Sequence, residues 1–184
     1  MEYIYKSMGI TIEPMFEGDP ECDLIRAYCL NTASENGESH NIKSIRIFKI
    51  ERRGEQESFE QVANEIGNRK LLFHGSGVSN FLGLLAQGMR IAPPEAPPTG
   101  YMFGKGIYFA DMVSKSANYC NTSRSNNTGI LMLCDVALGS MYERKAADYI
   151  EKLPKGKHST KGLGKNSNNS NEEGNFVDIL FSGT

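Results

Sequence analysis

Three consecutive residues, His74-Gly75-Ser76, close the apolar run that begins at Leu71 and bring an imidazole, an unhindered peptide and a hydroxyl to one strand end. The imidazole can hold or release a proton near neutral pH, and glycine lets a flat group come close to the main chain. The serine hydroxyl can give or accept a hydrogen bond. Such a set suits a planar amide, whose two polar atoms would pair with the Gly75 N–H and C=O while the hydroxyl takes the amide oxygen. A core histidine followed by a turn glycine explains the same tripeptide, so these three residues alone do not decide between the two readings.

Further along, Pro93, Pro94, Pro97 and Pro98 stiffen one end of a loop while Gly100, Gly104 and Gly106 free the other, a combination that suits a ligand-covering segment. The stretch Gly156 to Lys165 gathers Lys157, His158, Lys161 and Lys165 on a glycine-bearing loop, which either attracts an anionic polymer or keeps the loop in solution. Cys22, Cys29, Cys120 and Cys134 form no C-x-x-C pair, so reduced thiols are expected and neither a metal site nor a disulfide framework is implied.

These residues need elements to hold them. Asp19 can cap a helix over about 20–30 with Pro20 at its first position and Leu24, Ile25, Tyr28 and Cys29 at helical spacing. A strand is expected over 42–50, with Ile45 and Ile47 facing one way and Phe48 and Ile50 the other. Ser58 is expected to cap a helix whose Phe59, Val62, Ala63 and Ile66 share a face and which Gly67 stops. A buried strand follows over 71–74, then a helix over 79–87 with Phe81, Leu82 and Leu85 inward and Gly88 at its end. Asp111 is expected to cap a helix running through Lys115 to Tyr119, and the apolar run 130–138 is long enough for a central strand. The polar, low-complexity stretch 166–175 precedes a last strand-like run, Phe176 to Phe181.

At 184 residues, 39% hydrophobic and 23% charged, the chain is of the size and composition of one globular domain, taken as a single, partial domain over 1–184. No apolar run approaches the roughly 20 residues needed to cross a bilayer, and the first residues carry no basic region followed by an apolar one, so neither secretion nor a membrane is expected. A net charge of −2 lacks the electrostatic footprint of a chain that binds DNA through its phosphates. No internal repeat is visible.

The segment LLFHGSGVSNFLGLLAQGMRIAPPEAPPTGYMFGKGIYFADMVSKSANYC, Leu71 to Cys120, closely resembles the NAD-binding signature of the poly(ADP-ribose) polymerase catalytic domain, and GKHSTKGLGK, Gly156 to Lys165, is similar to a second stretch of that family. A weaker match at Ile47-Phe48-Lys49-Ile50-Glu51 extends the likeness over about Asp19 to Lys165. The resemblance implies an α+β ADP-ribosyltransferase fold, an antiparallel split sheet flanked by short helices, and transfer of ADP-ribose from NAD+ to protein acceptors or to the growing polymer.

By the same resemblance His74 is the histidine that bonds the 2′-hydroxyl of the nicotinamide ribose, Gly75 supplies the main-chain bonds to the carboxamide, and Ser116 completes that grip. Tyr119 would stack on the nicotinamide ring, and Tyr108 is either the tyrosine of the family's His-Tyr-Glu triad or the facing aromatic. Ser76, Asn80, Gly83 and Arg90 match positions on the adenosine side, and Lys115 matches a lysine near the catalytic glutamate and the acceptor. The family's Asn-Glu-Tyr-like strand motif has no match after Lys165, and neither Glu172 nor Glu173 is assigned its role, so the expectation is a domain lacking its last strands. A catalytically inactive NAD-binding module and a mono-ADP-ribosyltransferase are the competing readings. Family likeness further implies a nucleus-resident protein, no metal, and DNA contact only through segments outside this chain.

Overall fold

The computed structural model describes residues 2–33, 44–93, 95 and 101–163. Residues 42 and 43 of the strand expected over 42–50, the prolines at 94, 97 and 98, Gly100, Lys165, the polar stretch 166–175 and the run 176–181 lie outside the described residues; residues 44–46 are described and are not strand, which runs Ile47–Arg52.

The described elements follow in the order α1 (Glu2–Ser7), β1 (Ile10–Met15), α2 (Pro20–Asn31), β2 (Ile47–Arg52), α3 (Glu55–Ile66), β3 (Arg69–Ser76), α4 (Phe81–Gln87), α5 (Val113–Ala117), β4 (Ile130–Ala137), β5 (Met141–Arg144) and β6 (Ser159–Gly162). Single 3-10 turns, Val78–Asn80 and Asn118–Cys120, precede α4 and follow α5. The mixture is α+β, as expected.

Helix α2 starts where the sequence says it should. Asp19 takes an extended backbone and its carboxylate accepts the Glu21 N–H at 2.9 Å, while Pro20 fills a first-turn position that has no use for an N–H. The expected stops are also in place, Gly67 after α3 at φ 68° and Gly88 after α4 at φ 78°. Two expected caps are not. Helix α3 begins at Glu55 behind Gly54, which adopts the left-handed φ of 75°, and Ser58 lies inside the helix with its hydroxyl bonded to the Gly54 carbonyl at 2.9 Å. Helix α5 begins behind Met112, not Asp111. Leu82, expected inward on α4, is exposed, because Phe81 and the partly buried Leu85, four residues apart on one helix face, turn to the core and Leu82 stands about 100° round from Phe81.

Strands β1 and β2 pair antiparallel, with Ile12 opposite Ile50 and Pro14 opposite Phe48. Strands β3 and β4 pair antiparallel over eight residues, from Arg69 opposite Ala137 to Ser76 opposite Ile130. Strands β5 and β6 form a parallel pair that the sequence did not announce. The largest fully buried side chains include Leu72 and Phe73 of β3, Leu72 clustering with Phe109, Val136 and Leu138 and Phe73 stacking on Tyr28, so that the strand ending in His74-Gly75-Ser76 is packed from both sides. Burying each such side chain stabilises the fold by about 1.5–3 kcal/mol. A second cluster, Phe103, Ile150 and Leu153, lies beneath the loop before Tyr108, and the Asp148 and Ile150 N–H groups donate to the carbonyls of Met102 and Phe103. Segments 101–108 and 145–153 are thereby joined.

Candidate active site

Strand β3 is covered on both edges. On one side lies β4; on the other, Phe73 exchanges two main-chain bonds with Ala110, at 2.7 and 2.9 Å. Alternate residues of a strand direct their N–H and C=O to opposite neighbours, so Gly75 directs its pair to the same edge as Phe73. Among the described residues the bridge on that edge is the Phe73–Ala110 pair, and Gly75 lies past its end. The main-chain edge of Gly75 is therefore aimed at the place where the flanking segment turns away.

Over this edge sits α5. An ideal Cβ placed on Gly75 would overlap the Ser116 carbonyl oxygen and come 2.7 Å from the Ser116 carbonyl carbon. Glycine at 75 is thus required by the close crossing of helix and strand, a second demand beside any ligand's. Ser116, 3% exposed, donates its hydroxyl to the Phe73 carbonyl at 2.9 Å. That carbonyl also accepts the Ala110 N–H, so two donors share it.

The His74 Nδ1 lies 2.8 Å from the Tyr108 carbonyl. A carbonyl can only accept, so Nδ1 carries the hydrogen and Nε2 presents a lone pair in the neutral ring. The ring rests edge-on against Phe109, with centroids 5.7 Å apart, which fixes its plane. Beside it, the Asn80 amide donates to the Ser76 hydroxyl at 2.9 Å, drawing two of the expected adenosine-side residues together.

Other expected residues stand differently. Tyr119, on the turn after α5, is 58% exposed and offers an open ring. The Tyr108 hydroxyl donates to the Gly104 carbonyl at 2.5 Å and accepts the Phe103 N–H at 3.2 Å, and its ring lies against Tyr101 and the Phe103 cluster. Tyr108 therefore meets His74 through its main chain. Lys115 is half-buried in the last turn of α5. Arg90 is exposed and bonds Gln87 at 2.9 Å, and a Cβ on Gly83 would meet nothing within 4 Å. In the second block, Lys157 is tied to the Met141 carbonyl and the Ser140 hydroxyl, His158 accepts the Ser140 N–H, and Lys161 lies 3.8 Å from Glu143. That block is held as part of the β5–β6 pair.

Sequence reasoning missed Tyr28 and Thr32 of α2. The Tyr28 ring stacks on Phe73 at 4.9 Å, and its hydroxyl lies 3.1 Å from the Leu71 carbonyl and 3.3 Å from that of Asp111. Burial, and after it the negative charge of Asp111 and Cys29, holds the Tyr28 phenol above its ordinary range, so it stays a donor. No periodic signal could have found these contacts, which join residues 43 and 83 apart. Among the described residues no group of three His, Cys, Asp or Glu is arranged to hold a metal ion, and no helix is long and apolar enough to cross a membrane.

The site residues thus meet on an α+β scaffold at the end of β3, where the Gly75 main-chain edge lies under Ser116 of α5 and beside His74; of the strand expected buried over 71–74, Leu72 and Phe73 are buried and Leu71 is 51% exposed. The comparisons with known proteins give the family. The profile of the poly(ADP-ribose) polymerase catalytic domain matches residues 20–179, and the chain belongs to that family. It is 53% identical over 161 residues to poly(ADP-ribose) polymerase 1 of Gallus gallus, covering 88% of this chain and 16% of that protein. It is 51% identical over 169 residues to poly(ADP-ribose) polymerase 2-A of Oryza sativa subsp. japonica, covering 91% of this chain and 26% of that protein. A Drosophila melanogaster poly(ADP-ribose) polymerase is 49% identical over 161 residues, covering 88% of this chain and 16% of its own length. The chain thus spans a small part of each relative.

Proposed function

We propose that this chain forms the NAD+ site of a glycosyltransferase that moves ADP-ribose from NAD+ to protein acceptors and releases nicotinamide. The observation that carries this reading is the main-chain edge of Gly75, aimed past the end of the Phe73–Ala110 bridge and lying directly under Ser116. A carboxamide presents an NH2 donor and a carbonyl acceptor, which this edge can meet with its own C=O and N–H. The Ser116 hydroxyl can rotate from the Phe73 carbonyl to the ligand, because Ala110 keeps that carbonyl satisfied. His74 Nε2, acceptor by virtue of its tautomer, takes a ribose hydroxyl. The exposed ring of Tyr119 stacks on the pyridine face, which adds about 0.5–1.5 kcal/mol beyond area burial. Ser76 and Asn80 lie toward the adenosine, with Gly83 and Arg90 beyond them, and Lys115 lies toward the acceptor.

The chemistry is a displacement at the anomeric carbon. The C1′–N bond breaks with its electron pair leaving on the nicotinamide nitrogen, the acceptor oxygen forms the new bond to C1′, and the acceptor proton is released. Holding nicotinamide in one orientation and the ribose by its hydroxyl favours an oxocarbenium-like transition state by positioning. Polymer formation, a nuclear location and DNA contact through other segments are extensions of this reading supported by family membership.

The test uses NAD+ labelled in the adenylate and, separately, nicotinamide titrated by calorimetry. Label transferred to protein supports the transferase. Label transferred only when the chain carries its natural downstream sequence also supports the transferase, nicotinamide binding without transfer by either chain supports an NAD-binding module, and a failure to bind nicotinamide refutes the site. Sizing the labelled product on a gel separates polymer from single ADP-ribose units.

A further inference from the structure

Helix α5, which carries Ser116 over Gly75, is five residues long, too short to hold itself in water. Its cap residue Met112 makes no side-chain bond to it. Its start is held instead by the far end of α2. The Thr32 hydroxyl donates to the Tyr28 carbonyl at 2.8 Å, which turns its lone pairs outward, and it accepts the Val113 N–H at 3.3 Å. The Thr32 carbonyl lies 3.5 Å from the Ser114 hydroxyl. One turn earlier in α2, the Tyr28 hydroxyl reaches the Asp111 carbonyl at the entry to α5 and the Leu71 carbonyl of β3.

Tyr28 thus touches both the strand that leads to His74 and Gly75 and the entry to the helix that delivers Ser116, while Thr32 ties the first turn of that helix to the end of α2. On its inner side α5 is already at the limit of approach, since a single methyl on Gly75 would overlap Ser116. Any loosening can only carry Ser116 outward. We propose that Tyr28 and Thr32 are positioning residues for the nicotinamide moiety, setting the gap between the Gly75 main-chain edge and the Ser116 hydroxyl. This rests on the nicotinamide reading of the site. Neither residue touches the ligand; they act through α5.

The test is nicotinamide affinity by calorimetry on the protein and its T32V, T32S and Y28F variants, with hydrogen exchange followed at residues 113–117. Valine keeps the shape of threonine without the hydroxyl, phenylalanine keeps the ring that stacks on Phe73, and serine restores the lost hydroxyl. T32V and Y28F are each expected to weaken binding about five- to tenfold, the loss of about one hydrogen bond's orienting effect, with faster exchange at 113–117. T32S is expected within about twofold of the unaltered protein. Should T32V fail to fold, Y28F carries the test. Unchanged affinity in Y28F and in folded T32V overturns the positioning role and leaves the pocket standing. If the unaltered protein itself binds no nicotinamide, the pocket and this inference fall together.

Discussion

Replacing Gly75 by alanine adds one methyl group, and the structure says where it goes. The new Cβ would overlap the Ser116 carbonyl oxygen and lie 2.7 Å from its carbon, with the Leu131 Cδ2 at 3.3 Å. Leucine can rotate away; a helix backbone cannot. Helix α5 must therefore shift by on the order of 1 Å to reach ordinary contact in an interior packed like a crystal. Overpacking of this kind destabilises a fold by about 1–3 kcal/mol. The displaced group is Ser116 itself, and losing its hydrogen bond to the carboxamide weakens nicotinamide binding about tenfold. Nicotinamide titration calorimetry with a parallel thermal melt separates the two effects, since a folded variant with lost affinity shows displacement and not collapse. Gly83→Ala is the control in the thermal melt alone, because its Cβ meets nothing within 4 Å and alanine in a helix stabilises by about 0.5–1 kcal/mol relative to glycine. If Gly75→Ala binds nicotinamide within about threefold of the unaltered protein, the helix–strand crossing does not shape the site and the reasoning is refuted.

Other expectations follow from named contacts. His74→Ala removes the ring proposed to bond the ribose and is expected to weaken NAD+ binding about tenfold, whereas Lys161→Ala breaks only a 3.8 Å pair with the exposed Glu143 and changes it by less than about twofold; equal affinities by calorimetry would contradict this. Arg52 donates from Nε and Nη2 to the Leu84 and Leu85 carbonyls and from Nη1 to Glu55 at 2.7 Å, closing the C-terminal end of α4. Arg52→Met is expected to cost about 2 kcal/mol and to lower the melting temperature by about 4–8 °C, as scanning calorimetry would register. Burial, reinforced by Glu55, pushes the Cys134 thiol up to about 12, so at pH 8 its thiolate is about one part in ten thousand. Alkylation at Cys134, followed by mass spectrometry, should rise about tenfold per pH unit from 7 to 9, and a plateau in that range would show the thiol to be far more acidic.

What the sequence disclosed and what it withheld divide along the range of the forces involved. Asp19-Pro20, Gly67 and Gly88 act within a turn, and each stands where its chemistry placed it. Ser58 and Asp111 looked like equally good caps, but Gly54 takes the left-handed backbone that starts α3 earlier, and Thr32, 81 residues from Val113, accepts the Val113 N–H at the start of α5. The strand expected over 71–74 was legible from its apolar run, though it extends over Arg69–Ser76 with Leu71 exposed, and the run 130–138 was legible as the strand Ile130–Ala137 that pairs with it. That Gly75 is pressed by Ser116, that Tyr108 serves His74 with a carbonyl while its hydroxyl is bonded to Gly104, and that β5 and β6 run parallel are facts of tertiary contact. Periodicity reports which face of an element is apolar and carries no information about what the other wall of a pocket will be.

The strip of main-chain bonds joining 101–108 to 145–153 divides the surface loops into two kinds. Between α5 and β4, residues 121–129 are all exposed, and a peptide tag or spacer inserted there would hang from the protein without disturbing its interior. An insertion between Asp148 and Leu153 would part the Ile150 N–H from the Phe103 carbonyl and lift the floor beneath Tyr108, whose carbonyl orients His74. Tolerance to added sequence is thus decided by which loop's backbone a distant segment already uses.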